Sequence, residues 1–139
     1  MRKIKVLLAD GNDYSRQTIK NLLELDDNLD IAAEARSGPE VLEQTELLEP
    51  HVIIMDLNLP VMDGLQTTSY IAVHHPRVAV IIISLNDELP TIKKAMLAGA
   101  REYMVKPLSP AELHATIRQV VEFSNRLPGG STILPINRS

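Results

Sequence analysis

Four side chains in this sequence have the types and spacing for phosphoryl chemistry: Asp10, Asp56, Ser84 and Lys106. Asp56 follows Val52-Ile53-Ile54-Met55 and precedes Leu59-Pro60-Val61-Met62-Asp63-Gly64. A carboxylate presented at the exposed end of a buried strand can attack phosphorus and form an acyl phosphate. Transfer of a phosphoryl group needs positioning and charge neutralisation more than covalent assistance. Asp10, after Ile4–Ala9, can help bind a hard cation through oxygen. Lys106 can pair with phosphoryl oxygens as a point charge. Ser84 can donate a hydroxyl hydrogen bond. Taken singly, each has a plainer reading: a strand-end aspartate is ordinarily a turn or cap residue, and Lys-Pro a loop start. Placement of all four after the first, third, fourth and fifth apolar runs of one series makes a shared site the better account.

Those residues need elements to hold them. Short apolar runs alternate with helical patterns five times. The strands are Ile4–Ala9, Asp30–Arg36, His51–Leu57, Val78–Ile83 and Arg101–Val105. In the second, Ile31, Ala33 and Ala35 share one side by alternation. The fourth holds the β-branched run Val-Ala-Val-Ile-Ile-Ile, typical of a strand buried on both faces. Helical spacing predicts Tyr14–Leu25, with Ile19, Leu22 and Leu23 inward and Asp13 as its cap. A helix follows Ser37-Gly38-Pro39 and places Val41, Leu42, Thr45 and Leu48 inward. Gly64–His74 is the third and Leu89–Ala98 the fourth, with Gly99 as its stop. Ser109-Pro110-Ala111-Glu112 is a capping box that opens the last helix, with Leu113, Ile117, Val120 and Val121 inward. Five β–α units in series imply an α/β fold, a five-stranded parallel sheet doubly wound as (βα)5. In such sheets ligands sit beyond the carboxyl ends of the strands, near the switch in strand order. Asp10, Asp56, Ser84 and Lys106 stand at those ends.

Composition narrows the function classes. At 139 residues the chain suits one domain, read as 1–126, with 127–139 a flexible tail or linker to an absent output domain. A net charge of −4 argues against a nucleic-acid-binding face. There is no cysteine, which removes disulfides, zinc–thiolate sites and thiol catalysis. Three tyrosines and one phenylalanine are too few for a base-stacking platform. No apolar run approaches the ~18 residues of a membrane span, and a cytoplasmic setting is expected. The histidines His51, His74, His75 and His114 lack metal-ligand spacing, and His74-His75 before Pro76 reads as a solvated helix end.

From about Lys5 to Phe123 the sequence resembles the receiver domain of two-component response regulators, the CheY-like branch of the flavodoxin-like folds. The resemblance rests on Ala9-Asp10, on Met55-Asp56-Leu57-Asn58-Leu59-Pro60-Val61-Met62-Asp63-Gly64, on Ser84, and on Gly99-Ala100-Arg101-Glu102-Tyr103-Met104-Val105-Lys106-Pro107. It implies that Asp56 is the phosphoacceptor of a phosphorelay and that Asp10, Asp56 and the backbone carbonyl of Asn58 bind Mg2+. Ser84 and Lys106 would hold the phosphoryl group. Tyr103 would be a switch aromatic that turns inward with Ser84, and Lys106-Pro107 a cis peptide. The donor would be a sensor histidine kinase or phosphotransfer protein. Such a domain catalyses only its own phosphorylation and dephosphorylation. The signal would leave through the fourth helix, fifth strand and fifth helix to an output domain or effector, or to a second copy. Ile92, Lys93, Met96, Tyr103 and Leu108 are candidates for that surface. The segment Lys94 to Tyr103 is also similar to receivers fused to Walker-type ATPases of pilus assembly and to DNA-binding output domains.

Two positions depart from the family pattern. Receivers usually carry two adjacent acids at the end of the first strand, and here Gly11 holds the second place. Leu85, after Ser84, stands where the family often has a small residue and could narrow access to the site. These departures motivate an alternative, a degenerate receiver acting as a phosphorylation-independent dimerisation or docking module. A flavin carrier or an aspartate-nucleophile phosphatase on a similar sheet fits less well. Asp10-Gly11-Asn12-Asp13 is neither a phosphate-cradling loop nor an Asp-X-Asp motif.

Overall fold

The computed structural model describes residues 3–126. Ten elements alternate strictly along the chain: β1 (Ile4–Ala9), α1 (Asp13–Leu23), β2 (Leu29–Ala35), α2 (Gly38–Leu48), β3 (Val52–Asp56), α3 (Gly64–His74), β4 (Ala79–Ser84), α4 (Leu89–Ala98), β5 (Glu102–Val105) and α5 (Pro110–Asn125). All strand pairs are parallel, in the order β2-β1-β3-β4-β5. The order reverses between β1 and β3, so the crevice beyond their carboxyl ends is the place for a ligand.

The alternation of side chains in each central strand divides the core into two. Val6, Leu8, Val52, Ile54, Ile81 and Ile83 face α1 and α5, and pack with Ile19, Leu23, Leu113 and Ile117. Leu7, Ala9, Ile53, Met55, Val80 and Ile82 face α2, α3 and α4, and pack with Val41, Ile71 and Ala95. Strands covered on both faces read as continuous apolar runs, because every residue has a helix to meet. Each fully buried Leu or Ile side chain contributes about 1.5–3 kcal/mol, so β3 and β4, buried along their whole length, anchor Asp56 and Ser84 in the core.

The local expectations hold with particular exceptions. Val41, Thr45, Leu113, Ile117, Val120 and Val121 are buried as read. Gly99, at φ +115°, closes α4 through its N–H to Ala95 and Met96 carbonyls. Ser109 accepts from the Glu112 N–H and caps α5. In α1 the cap is Asn12, not Asp13: Asn12 Oδ1 accepts from the Ser15 N–H at 2.8 Å. Asp13 instead binds Arg16 at 2.7 Å, which holds its carboxyl below the usual carboxylate range. The helix also stops at Leu23, leaving Leu25 exposed. In β2, Ile31 does not share a face with Ala33 and Ala35. Val6 pairs with Ile31 but Leu7 pairs with Ala33, so Ala32 is an extra residue and the register shifts there. A one-residue bulge moves all later side chains to the opposite face. His75 is not a solvated end: its Nε2 lies 3.2 Å from Glu46. His74 stacks on Tyr70. The expected tail from 127 onward lies outside the described residues.

Candidate functional site

The carboxyl ends of β1, β3, β4 and β5 bring Asp10, Asp56, Ser84 and Lys106 to one edge of the sheet. An open groove of about 1060 Å³ runs over the first two and Lys106, bordered by Gly11, Leu85 and the start of α1. Asp10 is 2% and Asp56 8% exposed, so two carboxylates sit in a place where charge needs a partner. Lys106 supplies one. Its Nζ donates to Asp56 Oδ2 at 2.7 Å and to Ser15 Oγ at 2.9 Å, and lies 3.7 Å from Asp10 Oδ2. Asp56 Oδ1 accepts from the Asn58 N–H at 2.7 Å. Asp10 Oδ1 accepts from the Asn12 N–H at 2.9 Å, while Asp10 Oδ2 is buried with no hydrogen-bond partner among the described residues. The Lys106-Pro107 peptide is cis, as the resemblance implies.

The strand end that carries Asp10 is braced from α1. Arg16, 6% exposed, donates to the Asp10 carbonyl at 2.8 Å, to Asp13 at 2.7 Å and to Glu34 at 3.0 Å. Its pKa is raised, first by the Asp13 bond and further by Glu34, against the opposing effect of burial. A cation on the buried stripe with Ile19 and Leu23 is the mark such a brace leaves in the sequence. Gly11 lies beside Asp10 without a side chain. A Cβ built there would meet Pro60 Cδ at 3.0 Å and the Arg36 carbonyl at 3.3 Å. Neither neighbour makes up for the missing acid, because Asn12 Oδ1 is used as a cap and Asp13 is exposed and ion-paired.

Ser84 turns its hydroxyl toward the loop after β4 and accepts from the Asn86 N–H at 3.0 Å. Tyr103, on β5, is 8% exposed, and its hydroxyl donates to the Asn86 carbonyl at 2.7 Å. It therefore belongs to the core and not to the surface where the resemblance also places it. Of the other candidates there, Lys93 and Met96 are exposed, while Ile92 and Leu108 are half-buried. Leu85 is 78% exposed at the groove's edge. Asn86, which sequence reasoning missed, also binds Thr91 through its amide and accepts from the Glu88 N–H. Its bonds to Ser84, Glu88 and Thr91 are local, but the one it accepts from Tyr103 on β5 leaves no mark in the local sequence. Among the described residues no group of three or more His, Cys, Asp or Glu could hold a metal, and no helix is long and apolar enough to cross a membrane.

Comparison with known proteins agrees with this fold. Residues 6–118 match the model of the response regulator receiver domain. The chain is 37% identical over 123 residues to a protein-glutamate methylesterase/protein-glutamine glutaminase from Carboxydothermus hydrogenoformans, covering 88% of this chain and 34% of that protein. It is 35% identical over 117 residues to the response regulator GacA of Pseudomonas syringae, covering 84% of this chain and 55% of that one. The chain thus spans between a third and about half of the length of these relatives. The crystal structure of the response regulator domain of Thermotoga maritima CheB superposes with a TM-score of 0.80 at 26% identity, over 87% of this chain and 98% of that one. The chain belongs to the family of response regulator receiver domains: the match runs from the first strand into the last helix and spans the positions of Asp10, Asp56, Ser84 and Lys106.

Proposed function

We propose that this domain accepts a phosphoryl group on Asp56 from the phosphohistidine of a kinase or phosphotransfer protein. The observation that carries this is the pairing of Asp56 with Lys106 at 2.7 Å beside a buried Asp10 oxygen that has no hydrogen-bond partner among the described residues. In the transfer an Asp56 carboxylate oxygen bonds to phosphorus as the P–N bond of the donor breaks. The electron pair of that bond stays on the imidazole nitrogen, which takes up a proton. Lys106 leaves Asp56 Oδ2 for a phosphoryl oxygen, a short move for an ammonium on a four-carbon stem. Ser84 donates its hydroxyl proton to another phosphoryl oxygen while continuing to accept from Asn86.

The donor set is all oxygen, which suits a hard divalent cation. Asp10 and Asp56 through their carboxylates and Asn58 through its carbonyl would hold Mg2+. When bound, the ion supplies positive charge to the transferring group. The orphaned Asp10 oxygen supports this fit, and Gly11 predicts weak binding, because one negative ligand fewer is offered.

Output passes from Ser84 through Asn86 to Tyr103 and the α4–β5–α5 face. The recipient is an output domain or a separate effector, or a second copy of the chain. The methylesterase and regulator relatives, in which this domain is one part, support an attached or trans-acting output. The test is incubation with Mg2+ and acetyl phosphate followed by intact-mass measurement. One phosphoryl group is expected, dependent on Mg2+ and absent in Asp56→Asn. An unmodified wild-type mass, with no Mg2+ or beryllofluoride binding, would overturn the reading in favour of a phosphorylation-independent docking module.

A further inference from the structure

Lys106 has a third neighbour that the proposed transfer does not use. Ser15 Oγ accepts from its Nζ at 2.9 Å, across 91 residues of sequence. Ser15 is itself held in a closed circuit. Its backbone N–H donates to Asn12 Oδ1 at 2.8 Å, and the Asn12 N–H donates to Asp10 Oδ1 at 2.9 Å. One residue on, Arg16 donates to the Asp10 carbonyl at 2.8 Å. The Ser15 backbone is therefore fixed relative to Asp10 by bonds that do not involve Lys106.

A lysine ammonium is a mobile point charge with three donors, and one acceptor alone does not set its direction. Here two acceptors set it, Asp56 from β3 and Ser15 from α1. They differ in what happens to them. Asp56 Oδ2 would be lost as a partner, or altered, once the aspartate carries a phosphoryl group. Ser15 is chemically unchanged by that event. Other residues at the start of α1 cannot take its place: Gly11 has no side chain, Asn12 is committed as the cap, and Tyr14 is 83% exposed.

We propose that Ser15 is a positioning residue for phosphoryl transfer: its hydroxyl holds the Lys106 ammonium over the Asp56 carboxylate before transfer and keeps it within reach of the phosphoryl oxygens afterwards. The proposal rests on Asp56 as the phosphoacceptor. Alanine at 15 keeps a good helix former in the first turn of α1, so the fold persists and the loss is specific. Ser15→Ala lowers the second-order rate constant for phosphorylation by acetyl phosphate about three- to tenfold, the share of a charge-assisted hydrogen bond that water does not replace. Ser15→Thr, which keeps the hydroxyl, restores the rate to within about twofold of wild type.

A residue of merely structural importance would slow the reaction whether or not Lys106 were present. The decisive experiment is therefore a double-mutant cycle with Lys106→Met, read by intact mass over time in saturating Mg2+, together with 15N spectra of the Lys106 ammonium. The expected result is that Ser15→Ala slows the wild type and has no further effect in Lys106→Met. The ammonium signal should broaden through faster proton exchange in Ser15→Ala and stay sharp in Ser15→Thr. Equal slowing in both backgrounds, or an unchanged rate and spectrum in Ser15→Ala, would overturn the proposal. Should wild type take no phosphoryl group, the phosphoacceptor assignment falls, and the ammonium spectrum alone decides whether Ser15 positions Lys106.

Discussion

Replacing Asp10 with asparagine should stabilise the metal-free protein and at the same time remove its response to Mg2+. The Asp10 side chain is 3% exposed, and Oδ2 has no hydrogen-bond donor among the described residues. Lys106 at 3.7 Å attracts it by about 4 kcal/mol at an effective dielectric near 20. Desolvating a carboxylate costs several kcal/mol and offsets that attraction. What remains is a buried charged oxygen without a hydrogen bond, costlier than the neutral amide N–H that asparagine would leave there, and repulsion from Asp56, whose own charge Lys106 already neutralises at 2.7 Å. An asparagine side chain at this position keeps the carbonyl oxygen that accepts from the Asn12 N–H and removes the charge. The net expectation in EDTA is a gain of about 1–2 kcal/mol, or a Tm higher by about 3–8 °C. In Mg2+ the order should narrow or invert. At a free concentration about ten times Kd, wild type gains about 1.4 kcal/mol by mass action and Asp10→Asn gains nothing. Urea melts of both proteins, with and without the ion, measure all four values. An Asp10→Asn protein less stable than wild type in EDTA, or equally stabilised by Mg2+, would show that the buried carboxylate is not a frustrated metal ligand.

Three other perturbations have definite signs. Tyr103→Phe removes the 2.7 Å bond to the Asn86 carbonyl and should cost about 1 kcal/mol in a urea melt, with backbone NMR shifts spreading to residues 84–91; shifts confined to β5 would contradict the link. Val61 is β-branched, 89% exposed and held at φ +70°, so Val61→Gly should raise stability by about 0.5–1 kcal/mol, the left-handed strain relieved less the greater freedom of glycine when unfolded; a loss of stability would count against that backbone geometry. On the acid side, burial raises the Glu34 pKa, but bonds from Lys20 and Arg16 outweigh it and hold the group below its ordinary 4.5. A carboxylate depressed in the fold contributes stability that is present above the unfolded pKa and lost as pH falls through the folded one. Stability should therefore begin to decline below about pH 4.5, and urea midpoints measured from pH 7 to 3 should fall less steeply in Glu34→Gln than in wild type.

The elements and the four strand-end residues are legible because hydrophobic period and position within a β–α repeat are local properties of the sequence. Asp56 follows four buried residues, and such a run can end only at a sheet edge. The cap of α1 is legible only to within one residue. Asn12 and Asp13 are both good caps, and Arg16 with Arg36 draws Asp13 away. The bulge at Ala32 leaves no mark, since Asp30-Ile31-Ala32-Ala33-Glu34-Ala35 has no glycine and little contrast between its faces. The resemblance gives Tyr103 two places, as a switch and as a surface residue. Its burial follows from packing with Ala95, Ala100 and Ile82, which the sequence does not bring together. Ser15 and Asn86 escape sequence reasoning for the same reason, as each acts on a partner from another element.

The geometry also explains how a small event at the edge of the sheet can reach α4. Asn86 accepts from Tyr103 and Glu88, and donates to Ser84 and Thr91, so one residue ties the pocket, β5 and the first turn of α4 together. A serine hydroxyl has one proton and two lone pairs. Under the proposed assignment Ser84 can donate to a phosphoryl oxygen without releasing the Asn86 N–H, and any inward movement of the hydroxyl draws the loop with it. Shifting a two-state loop from one part in ten to nine in ten takes about 2.6 kcal/mol. A hydrogen bond to a charged group is worth about 1.5–3 kcal/mol. One new bond at Ser84 is therefore enough in magnitude, provided it forms in one loop arrangement and not in the other. The Lys106 ammonium does not touch that loop: its bonds go to Asp56 and Ser15, on β3 and α1. Under the proposed assignment, binding chemistry and signal would thus be divided: Lys106 would neutralise the phosphoryl group, and Ser84 would report it.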